Sequence, residues 1–128
     1  MLIAYWIIAG LSALAFLAAG AMKLLRPKEQ LRESGMAYTE DFSGPQVKLI
    51  GLAEVLGAIG LILPVLLVVV AYWSGWIGWV STLAGVCLAV LMGGAVATHV
   101  RRREGFAVPL TLGLLALAAA VLAALPTA

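Results

Sequence analysis

Ionisable side chains stand at three places where chemistry inside a membrane would need them. Glu54 is the one carboxylate in S-G-P-Q-V-K-L-I-G-L-A-E-V-L-G-A-I-G-L-I-L-P, a stretch from Ser43 to Pro64 otherwise fit for hydrocarbon. Lys23 lies near the end of the apolar run that opens the chain, and His99 closes a later one just before R-R-R-E-G. A carboxylate or an imidazole in apolar surroundings can hydrogen-bond the polar head of an apolar molecule, or take its proton. Such groups are functional candidates by default, because a charge at the centre of a membrane helix costs about 3 kcal/mol or more. Glu54 is therefore expected to point into the protein.

Each of these residues also has a plainer reading. Glu54 can be a strut between helices, since hydrogen bonds between membrane helices are often structural and average only ~0.6 kcal/mol. His99 can be an interfacial side chain beside the arginines, with one wet end. Lys23 can snorkel to the head groups, the favoured reading, or turn inward to a carboxylate. Depth decides which of them meet. If the membrane begins near Leu49, Glu54 lies only ~7 Å inside it, within reach of Lys23 directly or of His99 through one water. If it begins at Pro45, Glu54 is near the midplane and out of direct reach.

The helix that must carry Glu54 is well signalled. Ser43 and Gln46 form an S-x-x-Q capping box, Pro45 falls in the first turn, and Phe42 and Val47 are spaced as a hydrophobic staple. From Pro45 to Pro64 a helix spans ~28 Å, close to the ~30 Å of a hydrocarbon core. Gly51, Glu54, Gly57 and Ala58 follow at steps of three and four and share one face, which is small and suits close approach of another helix.

Composition sets the class. Of 128 residues 64% are hydrophobic and 11% charged, and the mean hydropathy is +1.12, so the chain reads as a single integral membrane domain over residues 1–128. Its net charge of +2 reflects topology and implies no nucleic-acid partner. Cys87 is the only cysteine, which rules out an internal disulfide, and its plain reading is a small buried hydrophobe.

The first membrane helix is expected over residues 2–25, with no basic residue ahead of it as a cleavable signal would have, and with Tyr5 and Trp6 at an interface. Gly10, Ala13, Leu14, Leu17, Ala18 and Ala21 give it a small packing face. Residues 26–44 read as a polar connection with a short amphipathic helix from Pro27 to Gly35. There Leu31, Met36, Tyr38 and Phe42 either lie on the head groups, cover the mouth of the bundle, or belong to a solvated connector. The second membrane helix is expected over residues 45–63. Val65 to Ser74 reads as a turn at the interface, with an aromatic belt at Tyr72, Trp73, Trp76 and Trp79. A third helix over 76–100 carries Gly78, Ser81, Thr82, Gly85, Ala89, Met92 and His99 along one stripe. A fourth, over 106–125, has Pro109 in its first turn and Thr111 as its one interior polar residue.

All eight Lys and Arg lie between Lys23 and Lys48 or at Arg101 to Arg103. The positive-inside rule makes both connections cytoplasmic and both termini non-cytoplasmic. The expected class is all-α, a four-helix transmembrane bundle with a short amphipathic cytoplasmic segment between the first two membrane helices. No phosphate loop, metal-ligand spacing or nucleophile elbow is present, so no metal site and no autonomous catalytic motif are expected.

Four pieces of the chain match a known pattern in order: A-G-A-M-K-L, E-D-F-S-G-P-Q-V-K-L-I-G-L-A-E-V-L-G-A-I-G-L-I-L-P, L-M-G-G-A-V-A-T-H, and R-R-R-E. Together they resemble the DoxX-like family of small bacterial four-helix membrane proteins, while Val65 to Trp79 departs from it toward more Val and Trp. The resemblance implies a multi-pass protein of the bacterial inner membrane and carries over Lys23, Glu54 and His99 as recurrent polar residues. Name-giving members look like subunits of a thiosulfate:quinone oxidoreductase, related proteins are linked to membrane redox or maturation tasks, and a distant animal branch acts as a receptor-assembly chaperone.

The expected function is binding of a quinone or other lipid-like molecule as a redox accessory subunit. Its groove would be bounded by Gly51, Glu54 and Ala58 on one helix and by Ala89, Met92 and His99 on another, open toward the cytoplasmic half. No intrinsic cofactor is expected beyond that quinone, and the electron carrier would belong to a partner. Besides the bilayer, the expected partners are another membrane protein or further copies of the chain. The alternatives are a membrane chaperone or structural subunit and, less favoured because the outer half offers few polar residues, a small-solute transporter.

Overall fold

The computed structural model of the protein describes residues 2–71 and 77–125. The elements are α1 (Leu2–Leu25), α2 (Lys28–Glu33), a 3-10 turn over Ala37–Asp41, α3 (Gly44–Ala71), α4 (Ile77–Arg101) and α5 (Ala107–Ala124). α1, α3, α4 and α5 are each long and apolar enough to cross a membrane. They pack in chain order, and α5 closes back against α1. Large apolar side chains such as Leu14, Val90 and Val108 point outward, as a bilayer requires. The core is built from Ala9, Phe16, Ala58, Leu61, Leu88, Met92, Ala116 and Ala119. The chain is an all-helical, multi-pass integral membrane protein.

α3 begins where the capping box places it: the Ser43 N–H donates to Gln46 Oε1 at 2.9 Å and the Gln46 N–H to Ser43 Oγ at 3.2 Å. It does not end at Pro64 as expected but continues to Ala71, so the interfacial turn read from Val65 is helical as far as the description extends. Proline in a helix interior leaves the carbonyl four residues earlier, here that of Gly60, without its helical donor, and packing against neighbouring helices lets membrane helices tolerate this. The hydroxyls of Tyr5 and Ser81 donate to the adjacent Leu61 carbonyl. Tyr5 is therefore a buried strut and not part of an interfacial belt. Trp79 is exposed, whereas Tyr72, Trp73 and Trp76 lie outside the described residues.

Glycines show that α3 leans from one neighbour to the other. At the end that carries the charged connections, α1 and α3 touch backbone to backbone at Gly20 and Gly51. Further along, Gly57 lies against Leu88 and Gly60 against Ala84, so α3 has moved onto α4. The lean leaves a cleft on each side. One lies between α1 and α3 in the half away from the charges, lined by Gly10, Ala13, Leu14, Leu17 and Ala58. The other lies between α3 and α4 near the charged end, where a Cβ built on Gly94 meets nothing within 4 Å. The expected small face of α1 thus partly lines an open groove, and Leu14 and Ala18 are exposed. Cys87 also faces outward instead of being buried.

Candidate functional site

Lys23 and Glu54 form an ion pair inside the bundle. Lys23 Nζ donates to both carboxylate oxygens of Glu54 at 2.9 Å, and each residue is only 2% exposed. Snorkelling, the favoured expectation for Lys23, is corrected to pairing. The reason is local: contact at Gly20 and Gly51 sets Lys23 beside Gly51 and Glu54 beside Gly20 on the two antiparallel helices, and an uncompensated buried carboxylate would be costly. Lys48 fixes the same corner, since its Nζ donates to the carbonyls of Lys23 and Leu24 at 2.8 Å and of Arg26 at 3.1 Å. A cation on these C-terminal carbonyls also complements the dipole of α1.

The connection between α1 and α3, residues 26–43, forms a strap that covers the pair. Leu31 is fully buried and Thr39 nearly so, so of the readings open for this segment the covering one describes it. Tyr38, on the 3-10 turn, lies between the two candidate centres: its ring centroid is 5.8 Å from Lys23 Nζ and 4.9 Å from that of His99. Opposite charges hold the strap to the α4–α5 turn. Arg102 bonds Asp41 Oδ1 at 2.8 Å and Glu104 Oε1 at 2.7 Å, and Arg101 lies 3.5 Å from Asp41. Within the strap, Arg32 pairs with Glu40 at 2.8 Å. Hydrogen bonds to Glu104 and then to Asp41 push the Arg102 guanidinium above its already basic range, so it stays charged at any physiological pH.

These groups surround a chamber of about 370 Å³ bounded by α1, the strap, α3, α4 and α5. Lys23, Glu54, Tyr38 and His99 form its polar part, and Phe16, Met92 and Leu112 belong to its apolar wall. His99 Nδ1 lies 3.2 Å from Glu104 Oε2 without meeting the geometry of a hydrogen bond, and it is buried with no hydrogen-bond partner among the described residues. A donor, a carboxylate and an incompletely satisfied imidazole thus face one apolar space, an arrangement able to hold a polar head and to exchange a proton with it.

The structure brings Lys23, Glu54, Met92 and His99 together at this chamber and sends the other groove candidates elsewhere. Gly51 does not line it, because it is pressed against Gly20 and the Lys23 side chain. Ala58 is in the core and borders the α1–α3 cleft. Ala89 borders a shallow groove between α4 and α5. Residue spacing alone missed Phe16, Leu112 and Glu104, which come from parts of the chain treated as packing or topology. The complementary E-D of the strap and R-R-R of the turn are the one signal that could have joined these segments.

Residues 7–121, nearly the whole chain, match the model of the DoxX-like family. Neither a curated protein nor a solved structure matches. With four apolar helices and a family match of that extent, the chain belongs to the DoxX-like family.

Proposed function

We propose that the protein holds the head of a quinone, or of a lipid-like molecule of similar chemistry, in the chamber beside Lys23, Glu54, Tyr38 and His99, and serves a membrane redox system as an accessory subunit. The observation that carries this reading is the convergence of these polar groups on an apolar space of about 370 Å³, within the ~300–1,000 Å³ usual for small-molecule sites. Lys23 gives two of its N–H groups to Glu54 and keeps a third, which suits a ligand carbonyl. His99 offers a second polar contact, and Glu104 beside it leads toward water. Electrons would come from a partner protein, while this chain binds and orients the head.

The reading places the charged connections on the cytoplasmic side of a bacterial inner membrane and both termini on the other side. Mass spectrometry of solvent extracts from gently purified protein tests the function. A stoichiometric quinone, reduced in occupancy by His99→Ala, is the expected result. Absence of any lipid-like molecule, with His99→Ala and Glu54→Gln changing only the melting temperature, would leave the site structural.

A second reading rests on a different feature. The cleft between α1 and α3, about 440 Å³ and almost wholly apolar, suits the side of another membrane helix and favours a chaperone or structural subunit. A membrane protein that co-purifies in place of a quinone, and is lost in Ala13→Leu, would select it.

A further inference from the structure

We infer that the cleft between α3 and α4 is a lateral portal through which the alkyl or isoprenoid tail of the bound molecule leaves the protein into the leaflet nearest the charged connections. This rests on the proposed binding of a polar head beside Glu54. A second space of about 460 Å³ lies in that cleft, and it shares Tyr38, Glu54, Met92 and Ala95 with the head chamber. The two spaces are thus neighbours across a wall of four side chains, with Glu54 reachable from both.

The helix packing gives the direction of exit. α3 and α4 are in contact at Gly57 against Leu88 and at Gly60 against Ala84, which closes the cleft toward the opposite leaflet. Toward the charged end they diverge, and a Cβ on Gly94 meets no atom within 4 Å. The lining is graded in polarity. Ile50, Leu91 and Gly94 present apolar surface, while Thr98 and Arg101 stand at the end where head groups would be. A molecule with its head at Glu54 and a tail too long for the first chamber finds here an apolar path that needs no helix to separate. Tyr38 and Met92, both in the shared wall, are the side chains that must turn to let it pass.

Binding of two probes to purified protein in detergent tests the portal: dimethoxymethylbenzoquinone without a tail, and its decyl-tailed counterpart. The wild type is expected to bind the tailed probe at least roughly tenfold more tightly, the equivalent of about two buried methylenes. Gly94→Phe grows into open space at the cleft and should abolish that advantage while leaving affinity for the tailless probe unchanged. Ala97→Leu, on the same cleft and also exposed, serves where Gly94→Phe does not fold. If both variants fold and keep the tail advantage, the portal is overturned and the head site stands. If neither probe binds the wild type, the head site is overturned and the portal with it.

Discussion

Gly20 and Gly51 meet without room for a side chain: a Cβ on Gly20 would lie 2.6 Å from the Gly51 carbonyl oxygen, and one on Gly51 would lie 2.9 Å from that of Gly20. The obstacle is backbone, which cannot rotate aside as a side chain would. Alanine at either position is expected to destabilise the protein by about 1–3 kcal/mol, the usual cost of overpacking, and to displace Lys23 from Glu54. Thermal unfolding in detergent checks this. Gly93→Ala, built into open space, should change little and is the control.

Removing one member of the buried pair should cost more than removing both. Lys23→Met leaves Glu54 without its counter-charge and is expected to lose about 3–5 kcal/mol, whereas Lys23→Met with Glu54→Leu should recover most of that loss. With Lys23 bonded to both oxygens of Glu54, Gln at that position strands the ammonium and should destabilise. A double-mutant cycle with no coupling between positions 23 and 54 would refute the pairing.

The strap is held by ions and should loosen with salt. Ion pairs at a wetted surface contribute little, so Arg102→Ala is expected to leave overall stability close to that of the wild type. Hydrogen exchange should nevertheless accelerate at residues 36–42, and high salt should reproduce the effect in the wild type. Equal protection in the variant and the wild type would show that burial of Leu31 and Thr39 alone holds the strap.

Topology is testable with impermeant thiol reagents in a Cys87→Ala background. Cysteine at position 34 should label only when the cytoplasmic face is open, and cysteine at position 2 should label in intact cells. Labelling from the same side would reverse one of the two ends.

Local features of the chain were legible because they depend on neighbours in sequence. The Ser43–Gln46 box, the helical start of α3 and the inward placement of Glu54 are of this kind. Facing was not legible: helices apolar on every side carry no periodic stripe to mark the buried face, which is why Cys87 and the small face of α1 were misplaced. Pro64 misled for a related reason. The helix runs on past it packed against its neighbours, and the side chains that reach its backbone there, Tyr5 and Ser81, lie 56 and 20 residues from Leu61. Lys23 had two physically reasonable fates, and the backbone contact at Gly20 and Gly51 chose between them.

The separation of 31 residues between Lys23 and Glu54 also fixes an order of events during synthesis. Lys23 is made, and its helix enters the bilayer, before its partner exists. Until α3 arrives, the ammonium must stay in water or among head groups, since an unpaired charge at depth costs about 3 kcal/mol. The first helix is therefore expected to sit shallow until α3 brings the carboxylate that lets Lys23 rest at depth. One lysine would then serve twice, first as an anchor for the newborn helix and later as the bond that joins it to the next.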